Sequence, residues 1–333
     1  MGKKLFLFSM TLRKTTSIHD PYPPGITRTI RRFLLFLPLA GWYPLFAAPP
    51  AETAPPAVDP QSARYQSVLF DKLEVTEDVV FRTALNRKGN AEELKLDIYR
   101  PAGDTETQRP ALLWIHGGGF QPGNDKRQKY IVAMATEFAR RGYVCMAPDY
   151  RVRENPKTDF QGTLQDAVED CRAALQWMRA ESRTYGLDPK RIAVGGGSAG
   201  GMTAVSLVLL ENNQAVRSGR AGVFALINLW GSPAEGTMLG TVNRNFPPTL
   251  IVHGTADTTV PFSQSELLAG QLKEVGVANQ LFPLSGAPHT PMQHLPAIVD
   301  ACAKFLFDIL TQPPPGTELP PAGQTAPPNP AGN

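Results

Sequence analysis

A serine sits among glycines where an apolar run gives way to a helical one. Residues 191–194 (RIAV) lead into Gly195-Gly196-Gly197-Ser198-Ala199-Gly200-Gly201, and AVSLVLL follows two residues later. The spacing Gly196-x-Ser198-x-Gly200 in a strand–turn–helix setting holds a serine on a sharp turn with its hydroxyl exposed, and the glycines let strand and helix approach each other. The chemistry this implies is nucleophilic attack. A serine hydroxyl is a weak nucleophile that needs a neighbouring base, and the Ala199 N–H at the helix start can receive the negative charge that develops. A glycine-rich turn before a helix can also cradle a phosphate. Gly200-Gly201-Met202-Thr203 supplies neither a lysine nor a second anion-reading group, which disfavours that reading.

Serines on turns of this kind are followed along the chain by their acid and then their base, in the order Ser, Asp/Glu, His, so both are sought downstream. Between Ser198 and the late histidines the only aspartate is Asp257, in the run IVHGTAD that closes an apolar strand. Glu211, Glu235, Glu266 and Glu274 fall on helices or in an irregular stretch. Two histidines follow, His289 in a Gly/Pro-flanked loop (SGAPH) and His294 five residues on. His289 is the expected base and His294 the alternative, placed in the first turns of the last helix. His253 adjoins the acid loop and is expected to be a hydrogen-bonded structural residue.

A further turn, His116-Gly117-Gly118-Gly119-Phe120, follows the strand ALLWI and exposes backbone N–H groups at the carboxyl edge of a strand, where α/β sheets place their ligands. The HGGGF run, Asp149-Tyr150-Arg151 after the next strand and the GGSAGG turn together resemble the α/β-hydrolase superfamily. Within it they are most similar to exported carboxylesterases of the hormone-sensitive-lipase and feruloyl-esterase type. The resemblance spans roughly residues 73–308. It implies a triad of Ser198, Asp257 and His289 and an oxyanion hole of the Gly117, Gly118 and Ala199 amides, with His116 holding the loop rather than acting as a base. It implies no metal and no organic cofactor, and neither HExxH nor CxxC occurs in the chain. Phe120, Trp230 and Met292 are expected to line an acyl or aryl pocket or, equally, to be ordinary core.

These turns need a scaffold. Short apolar runs at residues 111–115, 143–147, 191–194, 223–229, 249–252 and 280–283 read as buried strands, and residues 78–85 and 94–99 as a hairpin turned at Lys88-Gly89-Asn90. Helical spacing covers 130–141, 164–182, 199–210, 263–275 and 292–310. Strands alternating with helices predict βαβ units, hence a mainly parallel central sheet with helices on both faces, and the resemblance implies that this is the α/β-hydrolase fold. Too few residues separate Gly201 from Phe246 to hold a large inserted lid.

The 333-residue chain differs at its ends from its middle. Residues 1–60 hold ten prolines and seven Lys/Arg against three Asp/Glu, whereas residues 61–312 balance 26 basic with 26 acidic groups. The excess positive charge therefore belongs to the front end, which argues against a nucleic-acid partner. Arg28, Arg31 and Arg32 precede the apolar run FLLFLPLAGWYPLFAA, the pattern of an export signal. Interrupted by Pro38 and Pro44, that run is shorter than the ~20 residues of a membrane span, so no stable membrane insertion is expected. The expected organisation is a signal peptide at 1–48, a Pro-rich linker at 49–64, a catalytic domain at 65–312 and a disordered Pro-rich tail at 313–333. The destination is the periplasm or the exterior. Three cysteines are too few for a disulfide scaffold, although a Cys145–Cys171 bridge is conceivable.

The function expected is hydrolysis of short-chain, aryl or carbohydrate-linked carboxylic esters through an acyl-enzyme. An amide hydrolase of formamidase or peptidase type on the same fold is the alternative, and a non-catalytic binding protein is a third. The substrate is expected to be a small-molecule or carbohydrate-linked ester, and the sequence does not address oligomeric state.

Overall fold

Apolar runs without alternation become strands covered on both faces, and these form the middle of the sheet. The computed structural model describes Asp59 and residues 62–86, 88–232 and 241–312. The expected signal peptide (1–48), the Pro-rich tail (313–333), Glu235 and most of the linker lie outside the described residues. The strands are β1 (Leu73–Leu85), β2 (Ala91–Pro101), β3 (Arg109–Ile115), β4 (Val144–Pro148), β5 (Leu187–Gly197), β6 (Leu226–Leu229), β7 (Thr249–Gly254) and β8 (Asn279–Leu284). The helices are α1 (Lys129–Ala139), α2 (Phe160–Ala180), the single turn α3 (Ser182–Tyr185), α4 (Ala199–Ser218), α5 (Ser263–Glu274) and α6 (Leu295–Thr311). One sheet of eight strands runs in the order β1-β2-β4-β3-β5-β6-β7-β8. The pairs β1–β2 and β2–β4 are antiparallel and every other pair is parallel.

Every residue of β3, β4, β6 and β7 is buried. Successive side chains enter opposite cores, as the pleat requires. Leu113, Val194 and Leu226 pack with Leu164 of α2, Val205 of α4 and Leu268 of α5. Leu112, Ile227 and Val252 pack on the other face with Ile131 and Phe138 of α1 and Leu306 of α6. Cys145 belongs to the second core and Cys171 to the first. The sheet therefore separates the two thiols, and all three cysteines are free. Among the described residues no helix is long and apolar enough to cross a membrane, and no inserted domain stands between β6 and β7.

Several elements run past the bounds their sequence pattern suggests. β1 begins at Leu73 rather than at residue 78, and its register slips between Thr76 and Val79, where Asp78 takes φ 56°. This bulge breaks the alternation that would have marked one continuous strand. α4 continues to Ser218 through the polar run Glu211-Asn212-Asn213-Gln214, which looks like a helix end in sequence. Glu211 is instead fully buried and paired with Arg172, Arg179 and Arg220. Asn212 satisfies the Val223 N–H at 2.6 Å and its carbonyl at 3.2 Å. The expected last helix divides into a 3-10 turn (Met292–His294) and α6.

Candidate active site

β3 leads through α1 to β4 on one side, while β5 pairs with β3 on the other. The chain thus reverses direction across the sheet at β3 and β5, which opens a crevice at their carboxyl ends. Four turns meet at this edge, following β3, β5, β7 and β8.

Ser198 lies on the turn after β5 with φ 56° and ψ −121°, a conformation L-residues rarely hold. The strain is accommodated because the turn is packed against glycine. A Cβ at Gly200 would sit 2.5 Å from the His116 carbonyl oxygen, and one at Gly196 would sit 2.6 Å from the Gly200 carbonyl carbon. Any larger residue at either position would push β5, α4 and the β3 turn apart.

His289 Nε2 lies 3.0 Å from Ser198 Oγ, and His289 Nδ1 lies 2.6 Å from Asp257 Oδ2. The other carboxylate oxygen of Asp257 accepts the Thr259 and Val260 N–H groups at 2.8 and 2.9 Å. Burial alone would raise the Asp257 pKa. The bond from His289 and those two backbone donors outweigh it and hold the carboxyl below its usual range. Asp257 Oδ2 also faces His253 Nε2 at 3.1 Å, and that nitrogen lies 2.9 Å from the Val260 carbonyl oxygen. With two acceptors before it, Nε2 must carry the hydrogen, so Nδ1 accepts from Ser265 Oγ at 2.6 Å. Burial holds the His253 pKa below the ordinary histidine value, in keeping with a neutral ring. His253 is thus the hydrogen-bonded structural residue anticipated beside the acid loop. His289 bridges Ser198 and Asp257, whereas His294 stands at the N-cap position of α6 without a side-chain capping bond.

The turn after β3 departs from expectation at one amide. The Gly117 N–H donates to Gln128 Oε1 at 3.0 Å, so it is not free to meet a ligand. The Gly118 and Gly119 N–H groups donate to no protein acceptor among the described residues. Ala199 is the first residue of α4, and its N–H precedes the helix's own acceptors. The free donors are therefore Gly118, Gly119 and Ala199 in place of Gly117, Gly118 and Ala199. His116 is buried, stacks on Tyr150 at 4.2 Å and donates from Nδ1 to the Gly117 carbonyl at 3.0 Å. Burial lowers its pKa, and its place is within the loop and not beside Ser198.

A cavity of about 480 Å³ opens over these groups, with Gly118, Gly119, Ser198, Thr259, His289 and Met292 among its walls. Of the three residues for which pocket and core were equally open, Met292 is among these walls. Phe120 and Trp230 are not. Phe120 is 1% exposed, edge-on to Tyr150 and Phe160, and Trp230 is 1% exposed, edge-on to Tyr130. Both are core residues. A second hollow of about 270 Å³, between the β1–β2 hairpin and residues 151–154, contains none of the residues above. Among the described residues no group of three or more His, Cys, Asp or Glu side chains gathers as metal ligands would. Sequence reasoning missed Gln128 and Gly119: the first carries no motif, and the second was passed over within the right one.

The fold and these turns define a class, and comparison with known proteins agrees. The BD-FAE family model matches residues 96–225. Esterase 2 of Thermogutta terrifontis, solved after phosphoramylation by tabun, is 30% identical with a TM-score of 0.56, over 73% of this chain and 97% of that one. The chain belongs to the α/β-hydrolase esterases. Among curated relatives it is similar to the probable carboxylic ester hydrolase LipM of Mycobacterium tuberculosis, 27% identical over 54% of this chain and 49% of that protein. It is also similar to esterase LipC of the same organism, 24% identical over 58% of this chain and 56% of that protein. The chain spans about half the length of these curated relatives.

Proposed function

We propose that the protein hydrolyses carboxylic esters through a Ser198 acyl-enzyme. The observation that carries this reading is the unbroken hydrogen-bonded line from Ser198 Oγ through His289 to Asp257, at the mouth of a cavity. His289 Nε2 takes the hydroxyl proton as Ser198 Oγ attacks the ester carbonyl, then returns it to the leaving alcohol. Asp257 holds the imidazole with its other hydrogen on Nδ1 and stabilises the imidazolium. The tetrahedral oxyanion rests on the Gly118, Gly119 and Ala199 N–H groups; loss of one such donor costs about 3 kcal/mol in related chemistry. Water then attacks the acyl-enzyme with His289 again as base. The similar proteins, two esterases and a probable carboxylic ester hydrolase, support an ester over an amide substrate.

The substrate class proposed is a short-chain, aryl or carbohydrate-linked ester, because the cavity is open and modest in volume. A panel of p-nitrophenyl esters from acetate to palmitate, with methyl ferulate and acetylated xylan beside it, tests the reading, with Ser198→Ala as the control. Turnover should peak at short chains and vanish in the alanine variant. Retained turnover in that variant would end the triad assignment. Export is proposed on the basic and apolar pattern of residues 28–48. N-terminal sequencing of protein recovered from the periplasm or medium should begin near residues 47–51, and a retained Phe33 would contradict it.

A further inference from the structure

An oxyanion hole made of two consecutive glycine amides depends on which way two flexible peptide units face. A trans peptide points its C=O and N–H in opposite directions, so anchoring a carbonyl aims the amide that follows it. The Gly117 carbonyl is anchored by His116 Nδ1 at 3.0 Å, with the Tyr150 hydroxyl, whose hydrogen goes chiefly to the His116 carbonyl at 2.9 Å, behind it at 3.4 Å; this aims the Gly118 N–H away from them. The Gly118 carbonyl is anchored by the Gln121 N–H at 3.0 Å and by Asn124 Nδ2 at 3.3 Å, which aims the Gly119 N–H the other way. Gly118 takes φ 93° and Gly119 φ 61°, a backbone with no intrinsic preference to stay in this arrangement.

Asn124 is itself oriented from both ends. Its Nδ2 also donates to the Gln121 carbonyl at 3.0 Å, and its Oδ1 accepts from Gln128 Nε2 at 2.8 Å. Gln128 Oε1 completes the circuit by accepting the Gly117 N–H at 3.0 Å. Backbone groups of fixed polarity close both ends of the chain, a donor at Gly117 and acceptors at Gly118 and Gln121, so neither amide can flip without losing bonds. The two residues stand four apart across the entry to α1, with Gln128 as its N-cap residue. The contact with the loop is close: a Cβ at Gly118 would lie 2.6 Å from Asn124 Cβ.

We infer that Asn124 and Gln128 form an amide clamp that selects the oxyanion-hole donors: it occupies the Gly117 N–H, anchors the Gly118 carbonyl, and so presents the Gly118 and Gly119 N–H groups to the cavity. Both are positioning residues. Gln128 is itself a cavity wall whereas Asn124 is not, so the effect of Asn124 passes through the loop and not through contact with substrate. The inference rests on the esterase reading.

The test uses the full-length protein with p-nitrophenyl butyrate and two variants that enter the clamp from opposite ends, Asn124→Asp and Gln128→Met. Asparagine to aspartate keeps the shape and removes the donor to the Gly118 carbonyl. Each variant should lower kcat between about 10- and 100-fold, below the 10²–10³ typical of deleting a donor outright, with KM changed less than about threefold. Affinity for an alkyl trifluoromethyl ketone, whose adduct with Ser198 carries the oxyanion, should fall by the same factor as kcat/KM. Affinity for the matching unreactive alkyl methyl ketone should hold. The double variant should lose less than the product of the two singles, because either change opens the same circuit. The clamp is refuted if a folded variant keeps kcat within threefold. It is equally refuted if both ketones weaken alike, or if the two losses multiply. Should one variant fail to fold, the other and its ketone affinities decide. A wild-type protein that turns over no ester would overturn the esterase reading and the clamp with it, whereas an active wild type with indifferent variants overturns the clamp alone.

Discussion

Replacing Asp257 by asparagine exchanges one oxygen for an NH₂ group, and the surrounding hydrogen bonds decide where that group goes. At the Oδ1 position it would face two backbone donors, the Thr259 and Val260 N–H groups. At the Oδ2 position it faces one fixed donor, His253 Nε2, and His289 Nδ1, which can switch roles. The second placement leaves one opposed donor pair instead of two, so it prevails. His289 Nδ1 must then accept, its hydrogen moves to Nε2, and Nε2 presents a donor to Ser198 Oγ where a base is required. The wrong tautomer costs about 10⁴-fold in kcat in serine hydrolases of other folds, equivalent to roughly 5.4 kcal/mol of barrier. The donor facing His253 adds about 1–3 kcal/mol of lost stability. Stopped-flow release of p-nitrophenol from p-nitrophenyl acetate measures the first effect and urea unfolding the second. Labelling of Ser198 by an organophosphonate should slow in step with kcat. A folded Asp257→Asn variant with kcat within tenfold of wild type would refute the tautomer argument and the placement of the acid.

His289→Ala should lower kcat/KM by several orders of magnitude, while His294→Ala should change activity less than about tenfold; steady-state kinetics of both variants check this, and the reverse outcome would move the base to the start of α6. Gly200→Ala should cost about 3 kcal/mol or more, the upper end of overpacking penalties, because its Cβ would meet the His116 carbonyl oxygen at 2.5 Å; urea unfolding measures it, and a loss under 1 kcal/mol would mean that the elbow yields easily. Burial lowers the pKa of His116 and His253, so the unfolded chain binds more protons than the folded one below the ordinary histidine value of ~6.5. The stability these neutral rings contribute is present above that pH and lost as pH falls through it, so Tm should decline between about pH 7.5 and 5.5; a Tm that rises on acidification over this interval would contradict the neutral assignment.

Much of the scaffold and the triad's placement could be read from local pattern. Ser198 is marked by glycines that only a sharp, crowded turn requires, and Asp257 is the one aspartate at a strand end in the right part of the chain. What escaped was direction. Phe120 and Trp230 stand at the ends of strands beside the site, yet they take φ 58° and 38°. A side chain there no longer follows the in–out alternation of the strand, and both turn into the core. Gly117 escaped for a related reason: its amide is taken by a side chain eleven residues away, a contact that no spacing rule encodes. The buried Glu211 reads as a helix end until three arginines from α2 and the loop after α4 are brought against it.

The parallel half of the sheet also bears on the order in which the chain acquires its properties. Ser198 and His289 are 91 residues apart, and they meet only when β5, β6, β7 and β8 have paired side by side. Each of those parallel pairings closes a long loop before any contact rewards it, which makes such topology slow to assemble. Helices, whose bonds are local, need no such wait. A refolding chain should therefore regain its helical circular dichroism well before its turnover, and recovered turnover would report that the last strand has docked.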